Sequence, residues 1–368
     1  MKKLLLLATL LLALAGAQAQ NRNNTVQSGN ENKAAIEQSG RNNTANQLQS
    51  GDKNTAAIKQ TNAVGNTVNL KQSGNNNAAG ISQTNGAKNN LVNVEQAGDK
   101  NKVSSLQAGA EGNKTNLTQT GDANTISVQQ LGAGVRGNEI NVSQAGNKNQ
   151  AGISQSGNVV GNKINVGQTG NSNAASVDQA GNNISGNTIN IGQAGDQNTA
   201  KVTQTQSAQN NLINISQDGD QNAATVGQQR TKGTVVNISQ GGNLNAAGVS
   251  QQDATNTVVD INQGGNKNVA KVEQVKTSDS KVAIDQAGDN NTAGVLQENT
   301  TQSSAVIVQP GKSNTATAVQ SGAKLSSTVI KQSGNLNTAK TFQTGVNNHS
   351  NILQSGNKNT VTVKQTGN

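Results

Sequence analysis

The chain contains no cysteine, tryptophan or tyrosine, and only one phenylalanine, one proline, one methionine and one histidine in 368 residues. With no cysteine there is no disulfide and no thiolate metal site, so the fold must be held together without covalent cross-links. With almost no aromatic rings there is no platform on which bases or sugars could stack, and no sequence-specific nucleic-acid binding is expected. The sole histidine, His349, sits between Asn348 and Ser350 at an outward position and reads as a solvated surface residue. Long hydrophobic runs are also missing, apart from Leu4 to Ala15, which is too short for a permanent membrane anchor. Lys2 and Lys3 before that run and Ala17-Gln18-Ala19 after it match a secretory leader. Residues 1–19 are read as that leader and residues 20–368 as the mature, exported chain.

Beyond the leader, 26 Lys and Arg face 19 Asp and Glu, a net charge of +7. This charge is read as spread along the whole chain, an ordinary soluble surface with anionic matrix polymers as further possible contacts. Low hydrophobicity with abundant Asn, Gln, Ser and Gly would also describe a disordered polymer. Periodicity argues otherwise.

Fifteen glutamines, from Gln27 to Gln354, each have Gly two residues on, Asn five on and Gln eleven on. The copies run as Gln27, Gly29, Asn32 and Gln38; Gln49, Gly51, Asn54 and Gln60; Gln72, Gly74, Asn77 and Gln83; and so on to Gln332, Gly334, Asn337 and Gln343, then Gln354, Gly356, Asn359 and Gln365. The connection from one copy to the next varies from eleven to fourteen residues. The unit is therefore one arc of fixed length and one elastic arc. A repeat of this size cannot bury a face alone and must stack on its neighbours, as in a solenoid.

Asn54, Ala56, Ile58 and Gln60 alternate with Thr55, Ala57 and Lys59, the period of a strand rather than a helix. The elastic arc ends in a second strand with a heavier inward face, Asn66, Val68, Leu70 and Gln72. Small inward residues on one sheet face large ones on the other. The expected fold is all-β, a two-sheet solenoid of about fifteen two-strand rungs. The Gly of the QxGxxN turn is expected at a positive backbone dihedral. The only proline, Pro310, falls inside that turn, where a missing donor does least harm.

The pattern QxGxxNxAxxxQ, written here as Gln72, Gly74, Asn77, Ala79 and Gln83, resembles the curlin repeat of the major curli fibre subunits. The resemblance implies a secreted subunit that polymerises into extracellular functional amyloid, a fibre of biofilm matrix used in adhesion and cell aggregation. It also implies export through an outer-membrane channel with accessory proteins and seeding by a minor nucleator subunit. Carried over by position, the inward Gln and Asn and the turn Gly of each repeat are the assembly residues. The chain departs from the family in carrying many more repeats, in lacking a separate export segment before Gln27, and in having only Phe342 as an aromatic residue.

Other functions fit less well. Asp and Glu are scattered, as at Asp52, Glu95, Asp178 and Glu273, so no acid–base or nucleophilic constellation is formed and no enzyme, metal or cofactor site is expected. Calcium-binding solenoids need Asp at a constant place, whereas the residue after the turn Gly alternates between Asp and Asn and once is Lys312. A monomeric ice-binding or surface-binding solenoid is the alternative. Thr55, Thr125, Thr199, Thr292 and Thr315 share an outward column, but Lys33, Ala78, Lys102, Gln150 and Val269 interrupt it. Both ends of the repeat array are expected to lack caps, leaving end-to-end addition open.

Overall fold

The computed structural model describes residues 20–367, so the leader expected over residues 1–19 lies outside the described residues. Two parallel sheets run the length of the stack, each built from fifteen consecutive rungs. In a typical rung the strand Thr67–Ser73 belongs to the first sheet and Ala78–Thr84 to the second. Each strand pairs in parallel with its counterparts in the rungs before and after, Gln49 with Gln72 and Gln72 with Gln96. This is the all-β two-sheet solenoid that the period-two pattern required, with no helix among the described residues. Fifteen rungs at the ~4.8 Å strand spacing make a rod roughly 70 Å long.

The inward residues form one continuous core. Ala56, Ile58, Val68 and Leu70 are all buried, as are the amides Asn54, Gln60, Asn66 and Gln72 that flank them. Small side chains of the second sheet meet large ones of the first, and Val103 next to Ser105 is buried like its neighbours. The Ser105 hydroxyl is left without a hydrogen-bond partner, a small polar cost inside the slot.

The elastic arc is more ordered than its variable length suggests. Parallel bridges link Val64, Lys88, Glu111 and Arg136, and later Ser185, Gln209, Lys232, Thr255, Ser278, Thr301 and Lys324. Behind them lies a third buried column that includes Ala63, Ala87, Ala110, Val135, Val159 and Ile184. From each such residue to the Asn or hydroxyl residue that opens the next first-sheet strand the step is always three, as from Ala63 to Asn66 and from Thr231 to Thr234. All length variation is thus confined to the corner between the second sheet and this column, where Gln60 to Ala63 spans three residues and Gln130 to Val135 spans five. The solenoid has a narrow third side, which the strand pattern did not reveal.

The fixed turn holds a correction. Most of its glycines have positive φ, but Gly265, Gly288, Gly311 and Gly334 do not. Those four still sit directly beneath the carbonyl of the next turn, so a Cβ would collide with it all the same. Close stacking of turns is therefore the common reason for glycine, and the dihedral a secondary one. The residue two positions further on has positive φ in every turn, and it is never glycine: it is Lys53, Ala123 and Leu244 among others. That conformation costs about 1 kcal/mol for such residues and leaves no compositional mark.

Candidate assembly ladders

The inward glutamine of each first-sheet strand donates its Nε2 proton to Oε1 of the same glutamine in the next rung. Fourteen such bonds, 2.6–2.9 Å long, run without interruption from Gln27 to Gln354. A second series of fourteen, also 2.6–2.9 Å, joins Gln38 to Gln365 through the other sheet. Every one of these amides points the same way along the rod. Aligned amide dipoles in a buried column polarise one another and strengthen the series. The second proton of many first-sheet glutamines crosses the core to the opposite sheet, as from Gln72 to the Thr55 carbonyl at 3.2 Å.

The inward asparagine ties each turn to the next. Asn54 donates to the Gly74 carbonyl at 2.7 Å, and its own Oδ1 accepts the Asn77 backbone N–H at 3.0 Å. Asn77, Asn337 and the other interior copies are buried, whereas Asn32 and Asn359, in the terminal rungs, are not. Of the residues expected to form ladders and turns, Gln49, Gln60, Gln72, Gln83, Gln332, Gln343 and Gln354 are buried, while Gln27 is exposed and Gln38 and Gln365 are half-buried. Gly29, Gly51, Gly74 and Gly356 adopt positive φ, and Gly334 does not.

Two further ladders were not read from the sequence. On the outer face of the first sheet Asn46, Asn69, Asn93 and their successors to Asp260 are joined by nine amide bonds of 2.7–2.9 Å. The signal was available, because Asn recurs three residues before the turn glutamine. At the turn edge the residue after Gly acts as a cap for the rung before it: Asp99 Oδ1 accepts the Asn75 N–H at 2.8 Å, and Asp122 Oδ1 accepts that of Asp99 at 2.8 Å. Asp and Asn serve equally there, since only a carbonyl-type oxygen is needed. Lys312 breaks this series and instead pairs with Asp289 at 3.0 Å.

Charged groups lie outside the inward glutamine and asparagine columns. The Arg230 guanidinium, hydrogen-bonded to Asp253, holds that carboxyl below its ordinary value. The Asn266 backbone N–H and then Lys312 do the same for Asp289, and the Asn141 side chain, aided by Lys163, does so for Glu139. Depressed carboxylates contribute stability above their unfolded values, and lose it as the pH falls through their folded ones. The two inward glutamine ladders carry no titrating group. A groove of about 1130 Å³ follows the outer asparagine column between Asn116 and Val308 and is lined by amides, by small residues such as Gly167 and Ser216, and by aliphatic residues such as Val166 and Ile191. No metal-binding cluster occurs among the described residues. The threonine column stands as expected, with Thr55 beside Lys33 and Ala78.

Stacked identical rungs, polar ladders and glycine-stacked turns define a structural repeat protein of the β-solenoid class. The curlin associated repeat matches the chain at residues 65–98 and 334–367. The chain carries the curlin repeat at these two places, and the fifteen copies of its own repeating pattern correspond to the fifteen rungs. The comparison with curated proteins gives no match.

Replacing Gln217 by leucine tests the ladder inside a rung. Gln217 accepts from Gln193 at 2.8 Å and donates to Gln240 at 2.8 Å. The change strands one buried donor and one buried acceptor, and is expected to cost about 3 kcal/mol. The same change at exposed Gln27 should cost less than about 1 kcal/mol. Denaturant midpoints measure both, and equal losses would show that the ladder contributes nothing beyond side-chain volume.

Proposed function

We propose that the chain is a secreted structural subunit that polymerises end to end into extracellular amyloid fibres of the curli kind, serving biofilm matrix, adhesion and cell aggregation. The observation that supports this reading is the direction of the ladders. Gln27 and Gln38 give protons to the next rung while no amide donates to their oxygens, and at the other end Gln354 and Gln365 have no following glutamine among the described residues. One end of the described stack thus offers acceptors and the other donors. Inward Ile36, Val361 and Val363 of the terminal rungs are only partly buried. A second copy placed on either end continues both ladders and covers these residues, a head-to-tail contact that does not close on itself. The twenty ladder and turn positions from Gln27 to Gln365 act here as assembly residues.

The repeat family supports the remaining parts of the proposal: export past residues 1–19, passage through an outer-membrane channel with accessory proteins, and seeding by a minor nucleator. Anionic matrix polymers are proposed as secondary contacts. Residues 20–368, purified and diluted from denaturant, should form unbranched fibres with a reflection near 4.8 Å along the fibre axis. Reductant should leave them unchanged. A chain that stays monomeric for days at high micromolar concentration in the presence of seeds would overturn the proposal.

A further inference from the structure

The positive charge is not spread along the stack. Residues 20–298 hold 20 Lys and Arg against 19 Asp and Glu, a balance of +1. Residues 299–368 hold six lysines and no acidic residue, so they carry +6 of the +7. Of those six, only Lys312 forms an ion pair among the described residues. Exposed large apolar residues gather in the same rungs: six of the ten lie between Leu325 and Leu353.

The sheet register turns this composition into a pattern. Lys331 pairs with Leu353 on the outer face of the first sheet. Five residues further along each rung, inside the fixed turn, Leu336 stands opposite Lys358, the two turns being joined by the Lys358 N–H to the Asn335 carbonyl at 2.9 Å. Lysine and leucine therefore alternate in both directions over this edge. Leu353 is 68% exposed and Leu336 53%.

We propose that this edge of the last rungs docks on an anionic lipid surface. Lysines supply attraction to headgroups, and the leucines between them enter the headgroup and acyl boundary. A soluble polyanion would use the lysines alone and has no use for two strongly exposed leucines. Nothing in the inner ladders takes part, so a docked rod keeps its other end free to grow. This goes beyond the fibre proposal and does not depend on it.

The test uses residues 20–368, freshly diluted, with phosphatidylcholine vesicles and with vesicles of phosphatidylcholine and phosphatidylglycerol, read by co-sedimentation within minutes. Fibre formation is followed separately without lipid. Binding at least tenfold tighter to the anionic vesicles is expected, weakening with salt. The pair Lys331→Gln and Lys358→Gln should reduce it by about thirtyfold. The pair Leu336→Asn and Leu353→Asn should reduce it at least tenfold, while leaving binding to dextran sulfate unchanged. All four side chains point outward, and an unchanged β-sheet circular-dichroism spectrum and denaturant midpoint show that the stack is intact. Equal binding to both vesicle types, or retention of binding by either pair of variants, overturns the proposal. Tighter binding to dextran sulfate than to vesicles, independent of the leucines, assigns the edge to a polymer instead.

Discussion

Gly219→Val should destabilise the chain by about 3–5 kcal/mol, the largest effect expected of any single substitution here. Gly219 has φ of +112°, and a Cβ added there would collide with the Gly242 carbonyl oxygen and lie 2.9 Å from its carbon. Neither neighbour can retreat, because the Gly219 carbonyl is already bound by Asn198 at 2.7 Å and the Gly242 carbonyl by Asn222 at 2.7 Å. Two insertions make the comparison informative. One residue added between Gln229 and Arg230 falls in the variable corner and should cost little, since a step of four from the second-sheet glutamine to the buried column already occurs from Gln83 to Ala87. One residue added between Lys232 and Gly233 breaks the constant step from buried Thr231 to buried Thr234 and displaces the Lys232 bridges. Denaturant titration of the three variants should rank the corner insertion far above the other two. If both insertions proved equally mild, the third side of the solenoid would be a loose loop after all.

Deleting Ser73 through Gln83 should abolish assembly, whereas deleting Ser73 through Gln96 should leave it intact despite removing more than twice as many residues. The longer deletion joins Gln72 to Ala97 in the original phase. Gln72 then donates to Gln119, and strand Thr55–Val64 stacks on Lys102–Ala108. Each rung needs only a matching rung on either side, so one fewer is tolerated. The shorter deletion removes the second-sheet strand Ala78–Thr84 but keeps the next first-sheet strand, Leu91–Ala97. It leaves a gap of two strand spacings, about 9.6 Å, in one sheet only, and interrupts the glutamine series between Gln60 and Gln107. Fibre yield and seeding rate report the difference. Equal assembly by both deletions would mean that the two sheets are interchangeable, and failure of the longer one would mean that the chain is not a linear stack.

Much of this fold is legible because alternation is a local property. That Ile58 and Gln60 face inward while Lys59 faces outward follows from strand geometry alone, and fifteen copies of one spacing place every rung. The outer asparagine ladder was equally visible as a recurrence, yet an outward Asn has no reason to bond until register sets Asn69 beside Asn93. The basic edge was missed for a related reason. Lys331 and Leu336 are unremarkable in sequence, and only stacking on Leu353 and Lys358 makes a surface of them.

What the sequence determined by itself is the repeat, the two strands of each rung, their inward faces and the position of the tight turn, since each depends on residues within a few positions of one another. The tertiary structure decided the rest. It ordered the elastic arc into a third buried column, because Ala63 and Val135 find their partners only in the next rung. It placed Lys53 and Leu244 in the left-handed conformation, because the stacked glycine beside them leaves the chain no other path. It also set all the amides pointing one way, because an amide column can donate and accept without interruption only when every member is aligned.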